Sequence, residues 1–173
     1  MKSCAVTGHR PQRFKYTETS EEGRLLKHRM LGVLSGLYKK GVRRFYVGGA
    51  LGVDMWVGEL LAWLREKPEY PGIELVMALP FENYEKRWEP QEQERLHKLM
   101  ERCSEVVTVG FMSSPYSYLQ RNRYMVDRAD CLFAVYDGVR TSHSGTCFTV
   151  EYAASKDLPI WMLDPDTLEL KTI

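Results

Sequence analysis

The feature that most constrains this chain is an alternation. Short apolar runs of strand length are followed, again and again, by segments with helical periodicity. Cys4-Ala5-Val6 precedes the stripe Leu26, Met30, Val33, Leu34 and Leu37. Phe45-Tyr46-Val47 precedes Val53, Trp56, Val57, Leu60, Leu61 and Leu64. Ile73 to Leu79, Val106 to Val109, Cys131 to Tyr136 and Pro159 to Leu163 supply four more runs. Strands that alternate with helices predict an α/β chain: a Rossmann-like three-layer domain with a mostly parallel sheet of about six strands. The polar last ten residues have room for a short edge strand. Thr19 and Glu22 predict a capping box for the first helix, and Gly41 its stop. Pro90 breaks any long helix in the charged stretch from Glu82 to Glu94. A later helix is expected from about Tyr118 to Ala129, and Gly145 opens another.

The 173 residues fit one domain, 1–173. The net charge of +1 provides no bulk field for nucleic acid, which argues against that partner. The four cysteines, at 4, 103, 131 and 147, have neither C-x-x-C nor metal-type spacing. They read as reduced thiols, no metal is expected, and the compartment expected is the cytoplasm. No apolar run approaches the ~20 residues of a membrane span, and none resembles a signal peptide.

In open parallel sheets, ligands bind outside the carboxyl ends of the strands, where adjacent connections diverge. Here those ends are rich in glycine. They read Thr7-Gly8-His9-Arg10, Gly48-Gly49-Ala50-Leu51-Gly52-Val53-Asp54, and Asp137-Gly138 followed by Ser144-Gly145-Thr146. Glycine lets a ligand approach backbone N–H groups, and the helix that follows presents unpaired N–H groups and a partial positive charge. The pattern predicts a phosphate-bearing, nucleotide-type ligand. The Gly48–Gly52 loop is neither G-x-G-x-x-G nor a P-loop. Asp54 would repel a phosphate there, so a ribose hydroxyl is its better partner; its plain alternative is to complement the helix dipole. Arg10 and the Gly145-Thr146 turn are then the phosphate contacts. His9 is a donor or stacking surface, or else a loop residue. Asn122 falls in the apolar stripe of its helix, flanked by Arg121 and Arg123, and should point inward. Asp127 near the helix end is expected to hold Arg10 or a backbone loop, with a surface ion pair as the alternative. His143 stands beside the Ser144 turn. The aromatics of Phe81 to Trp88 are expected as an amphipathic cover, with base stacking as the alternative.

Gly49-Ala50-Leu51-Gly52-Val53-Asp54-Met55-Trp56 resembles the YpsA-like branch of the SLOG superfamily. So do Thr7-Gly8-His9-Arg10-Pro11, Arg121-Asn122 with Asp127, Tyr136-Asp137-Gly138 and Ser144-Gly145-Thr146, in order along nearly the whole chain. That superfamily unites Rossmann-like domains related to the DNA-processing protein DprA and to the Lonely Guy enzymes. The resemblance implies a nucleotide or nucleotide-derived ligand such as NAD, ADP-ribose or a nucleoside phosphate, and a link to bacterial cell division or stress. Lonely Guy enzymes carry P-G-G-x-G-T-x-x-E. Here the residue three after Thr146 is Thr149, and Glu151 lies two further on. Two helical residues turn a side chain by roughly 200°, so Glu151 is a poor substitute.

The expected function is therefore binding or sensing of such a ligand, with no certain cofactor and no assigned catalytic residue. The alternatives are a hydrolase of an N-glycosidic or phosphoester bond, with Asp54, Asp137, Glu82 or Glu151 as acids, and a single-stranded DNA binder. Association of identical copies and a cell-division protein partner are left open.

Overall fold

The computed structural model describes residues 1–141 and 144–173. His143, beside the Ser144 turn, lies outside the described residues. The apolar runs form strands β1 (Ser3–Gly8), β2 (Arg44–Val47), β3 (Glu74–Leu79), β4 (Glu105–Thr108), β5 (Cys131–Val135) and β6 (Ile160–Leu163). The stripes form helices α1 (Glu21–Lys39), α2 (Val53–Leu64), α3 (Pro90–Arg102), α4 (Pro115–Asp127) and α5 (Gly145–Ser155). The polar tail adds a seventh described strand, β7 (Leu170–Thr172), antiparallel to β6. All other pairings are parallel, and the sheet order is β4-β3-β2-β1-β5-β6-β7.

Strand side chains alternate between faces, and this sorts the core into two halves. Cys4, Val6, Phe45, Val47, Met77 and Phe133 face α1, α2 and α3. Ala5, Tyr46, Val76, Ala78, Leu132 and Ala134 face α4 and α5. Both faces of the central strands are therefore apolar, as buried parallel strands require.

The chain order creates one divergence. From β1 the first connections step outward through α1, α2 and α3 on one face. The chain then returns through α4 on the other face to β5, on the far side of β1. At the carboxyl edge, β1 leads into α1 and its neighbour β5 into α5, on opposite faces. This is the crevice that Rossmann-like sheets open to ligands.

Two local expectations shift. Pro90 does not interrupt a helix but begins one, at the first turn of α3, where a missing N–H costs nothing. The cap of α1 is Ser20 and not Thr19. Ser20 Oγ accepts from Gly23 N–H at 3.1 Å and donates to Thr17 O at 2.6 Å. Gly23 supports that turn, since a Cβ there would lie 2.4 Å from the carbonyl oxygens of Thr17 and Glu18. Ser20→Ala should cost about 1 kcal/mol of stability, and Thr19→Ala less than about 0.5 kcal/mol, in urea unfolding.

Candidate functional site

The glycines at the strand ends allow close approach. The His9 carbonyl accepts from Val53 N–H, in the first turn of α2, at 3.3 Å. Gly52 has φ of +91°, and a Cβ on it would stand 2.5 Å from that same carbonyl. A Cβ on Gly8 would meet the Val53 side chain at 2.5 Å. The exits of β1 and β2 are thus drawn together, with the N-terminus of α2 seated between them.

Arg121 ties this loop to the opposite layer. It reaches from α4 under the sheet edge and is only 4% exposed. Nη1 donates to the Gly48 carbonyl and, at 3.3 Å, to that of Ala78; Nε donates to Asn122 Oδ1 at 2.9 Å. These acceptors are neutral. Burial therefore dominates and holds the guanidinium pKa below its usual value, although Asp54 nearby opposes this. A side chain on Gly48 would collide with both Arg121 Nη1 and Asp54 Oδ2, each 2.7 Å from a Cβ.

Asp54 is buried, and its carboxylate accepts from Ala50 N–H at 3.3 Å. Burial pushes its pKa up, against the pull of Arg121. Its visible work is to close the Gly48–Gly52 loop from the first turn of α2. Gly49 has φ of +69°, and its carbonyl accepts from the Tyr84 hydroxyl at 2.6 Å.

The Asn122 amide continues the line toward α5. A Cβ on Gly145 would stand 3.7 Å from Asn122 Nδ2. Gly145 opens α5 after Ser144, whose hydroxyl accepts from Cys147 N–H at 3.1 Å. Thr146 is buried on the same turn. Arg10 is exposed at the mouth, its guanidinium carbon 5.5 Å from the centre of the Tyr118 ring. That distance suits a cation–π contact.

On the β5 side His9 is 4% exposed and accepts at Nε2 from Asp137 N–H at 3.4 Å. Asp137 takes Arg13 at 3.1 Å and caps Val139 N–H at 2.8 Å. Gly138 follows, with φ of +80°. Burial holds His9 below the usual imidazole range, outweighing Asp137, so the ring is neutral. Burial alone would raise the Asp137 carboxyl; Val139 N–H, Arg13 and His9 outweigh it and hold the carboxyl low.

The structure thus gathers Gly8, His9, Arg10, Gly48, Gly49, Gly52, Asp54, Arg121, Asn122, Asp137, Gly138, Ser144, Gly145 and Thr146 at one edge. Asp127 is not among them. It is the last residue of α4, exposed, and it accepts from Tyr152 Oη and Lys156 Nζ, both at 2.8 Å. It makes the surface ion pair that was its alternative. Glu151 is half exposed and paired with Arg140 at 3.0 Å. Sequence reasoning missed Tyr84 as a loop anchor, reading its segment only as a cover. It also missed Arg13, for which no local pattern pointed to Asp137.

Two clefts are defined by the described residues, the first of them bordering the crevice at Gly52. One, of about 320 Å³, is lined by Tyr16, Glu18, Gly52, Trp56 and Arg95; another, of about 560 Å³, by Tyr16, Leu25, Pro165 and Leu168. The crevice is the sheet edge itself, with Arg10 exposed and Arg121 buried beside it.

The burial of His9 makes a pH dependence. A neutral buried histidine has a folded pKa below its unfolded value. As pH falls below about 6.5, the unfolded chain takes up protons that the folded chain does not, and stability drops. The Asp137 contribution disappears in the same direction, at lower pH. The loss of unfolding free energy between pH 7.5 and pH 5.5 should be smaller in His9→Gln than in the parent, by urea titration at both pH values.

The sequence model of the YpsA family, described as the YspA SLOG family, matches residues 4–168. A UPF0398 protein of Bacillus pumilus (strain SAFR-032) is 30% identical, covering 97% of this chain and 90% of its own length. The SPbeta prophage-derived protein YoqJ of Bacillus subtilis (strain 168) is 31% identical, covering 82% of this chain and 88% of its own. In fold, the chain is similar to DNA processing protein A from Helicobacter pylori, whose structure was described for its single-stranded DNA binding mode. That match has a TM-score of 0.59 and 19% identity, over 94% of this chain and 69% of the other. On the match across residues 4–168, with the strand-end glycines and the Rossmann-like sheet that it predicts, the chain belongs to the YspA SLOG family.

Proposed function

We propose that this protein binds a phosphate-bearing, nucleotide-derived ligand in the crevice between the exits of β1 and β5. The observation that carries the reading is Arg121: a buried cation whose hydrogen bonds, among the described residues, go to neutral acceptors. Burying a charge without a contacting counter-ion costs several kcal/mol. It is a reasonable arrangement where the field is used, and the neighbouring groups suit an anion. Arg10 stands at the mouth as an exposed cation. The first turn of α5 offers backbone N–H groups and the positive end of its dipole. Asn122 Nδ2 lies beside that turn as a donor. The Tyr118 ring under Arg10 offers a flat apolar surface beside the phosphate position.

Binding is favoured over hydrolysis by the state of the candidate acids. Asp54 is buried against a backbone N–H, Asp137 holds Arg13, and Glu151 holds Arg140. These three of the four candidate acids are engaged in structure, and the fourth, Glu82, is exposed in the segment after β3.

A second reading, single-stranded DNA binding, is supported by the Helicobacter pylori neighbour's fold and by the pairing of Arg10 with an aromatic ring. The two readings separate by salt: oligonucleotide binding through several phosphates weakens steeply between 50 and 200 mM salt.

The test is thermal unfolding against a panel of nucleoside phosphates, NAD and ADP-ribose. A ligand at about 100 times its Kd stabilises by about 2.7 kcal/mol, which raises Tm by roughly 5–10 °C for a chain of this size. Two variants check the site without disturbing the fold. Arg10→Ala removes an exposed side chain. Gly145→Asp places a carboxylate on the first turn of α5, where Cβ has ordinary contact distance and the helix dipole welcomes it. Both should retain the parent Tm without ligand and lose the ligand-induced rise. No rise with any member of the panel would refute the proposal.

A further inference from the structure

The cleft beside α2 has a volume of about 320 Å³, at the small end of the range for small-molecule sites. Pro11, Tyr16 and Trp56 give it apolar surface, and Glu18, Glu92 and Arg95 give it polar groups. Arg95 donates to Glu18 and Glu59, and Lys27 donates to Glu18. Those two cations and two carboxylates satisfy one another and fix one wall. Glu92, in the first turn of α3, is different. It is half-buried at the cleft, and its carboxylate has no hydrogen bond or ion pair among the described residues. The helix dipole accounts for an acid in that turn. It does not account for an acceptor left without a donor at the wall of a cleft.

Trp56 supplies an unpaired donor. It is 4% exposed, with the Phe14 ring centre 5.1 Å and Lys27 Nζ 5.6 Å from its own. A buried indole N–H ordinarily finds a partner. Trp56 Nε1 has no acceptor among the described residues, where the one unpartnered side-chain atom sealed from solvent is Arg123 Nε. Trp56 Nε1 is therefore not sealed. Part of the little surface that Trp56 keeps lies at this N–H, and Trp56 borders the cleft.

An occupant must then bring an acceptor to the indole and a donor to Glu92, on a flat body that suits Tyr16 and Pro11. An alkylammonium has donors and no acceptor. An anion would meet Glu92 as a like charge. A heterocycle with an amino group beside a ring nitrogen has both groups and no charge, as adenine does. The cleft also shares a wall with the crevice. Gly52 and Pro11 border the cleft, and a Cβ on Gly52 would stand 3.0 Å from Arg10 Cα and 3.1 Å from Pro11 Cδ.

We propose that this cleft binds an uncharged, amino-bearing nucleobase, with Glu92 accepting from the amino group and Trp56 Nε1 donating to a ring nitrogen. The site stands without the phosphate reading of the crevice, because a nucleoside carries the base and no phosphate. The base belongs either to the nucleotide in the crevice or to a separate nucleoside, and the test distinguishes these sources.

Adenosine, inosine and AMP are titrated into the full chain and into Glu92→Ala, Glu92→Gln, Trp56→Phe and Arg10→Ala. Binding is followed by the indole N–H resonances of the four tryptophans, and Trp56→Phe identifies the one that belongs to Trp56. Inosine has a carbonyl where adenosine has its amino group. The parent should prefer adenosine to inosine by about 10- to 100-fold, the worth of a hydrogen bond to a charged group, and adenosine should shift the Trp56 resonance. Glu92→Ala should bring the preference close to unity, and Glu92→Gln, which keeps an acceptor, should retain part of it. Glu92 is half-buried and unpaired, so both variants should unfold near the parent temperature. Trp56→Phe should weaken adenosine and inosine alike; if it lowers Tm, the Glu92 variants and the parent's indole shift still decide. AMP that binds more tightly than adenosine, with the gain lost in Arg10→Ala, assigns the base to the nucleotide in the crevice. Equal affinity for the two assigns a separate nucleoside. Adenosine that fails to bind at millimolar concentration, equal affinity for adenosine and inosine, or a preference that survives Glu92→Ala would overturn the site. None of these three results would touch the phosphate reading, which Arg10→Ala tests separately.

Discussion

The structure around the crevice depends on one buried guanidinium. Arg121 links α4, on one face of the sheet, to the Gly48 and Ala78 carbonyls at the ends of β2 and β3. Those carbonyls belong to a loop and a strand end, where ladder partners run out, and a buried carbonyl without a partner is costly. Arg121 supplies the donors. In return Gly48 must remain a glycine, because Arg121 and Asp54 close on it from two sides. Asn122 accepts from the same guanidinium, which orients its amide nitrogen toward Gly145. One side chain thus sets the loop after β2, the rotamer of its neighbour and the approach to α5.

Much of this was legible in the sequence, for physical reasons. The period-2 and period-3.6 patterns arise from burial, and they located six strands and five helices. Glycines at strand ends signalled close approach, and at Gly8, Gly48 and Gly52 a Cβ would indeed collide. Asn122 in an apolar stripe announced a buried amide with partners. What the sequence did not reveal was long-range pairing. Arg121 is more deeply buried than the helical pattern suggests, because its long stem lets a charge travel to a distant carbonyl. Tyr84 anchors Gly49 across 35 residues, and Arg13 reaches Asp137 across 124. No periodicity encodes such pairs. Asp127 misled for a related reason. A carboxylate at a helix C-terminus is unfavourable alone, but Lys156 and Tyr152 from α5 resolve it locally.

The clasp on the β5 side has a different character. His9, Arg13 and Asp137 join the first and fifth strand exits through one carboxylate. Because His9 is neutral and accepts from a backbone N–H, its ring orients the turn rather than supplying charge. The cations at this edge are therefore Arg10 and Arg121, not the histidine that precedes them in sequence.

The contrast between two arginines favours the crevice over the cleft beside α2 as the place to look for an anion. Arg95 lines that cleft and is held by two carboxylates, Glu18 at 2.5 Å and Glu59 at 2.6 Å. Their hydrogen bonds push its pKa up. Burial would raise the Glu18 carboxyl, but Arg95 and Lys27 overcome it and hold it at about 2. The network is neutralised internally, and little field is left for a ligand. Arg121 has the opposite balance: its pKa is pushed down by burial, its acceptors are neutral, and Asp54 acts on it only from across Gly48. An anion entering the crevice would gain from Arg121 an attraction that the cleft beside Arg95 has already consumed. Of the two, only the crevice combines an incompletely compensated cation, an exposed second cation at Arg10 and a helix N-terminus within one edge of the sheet.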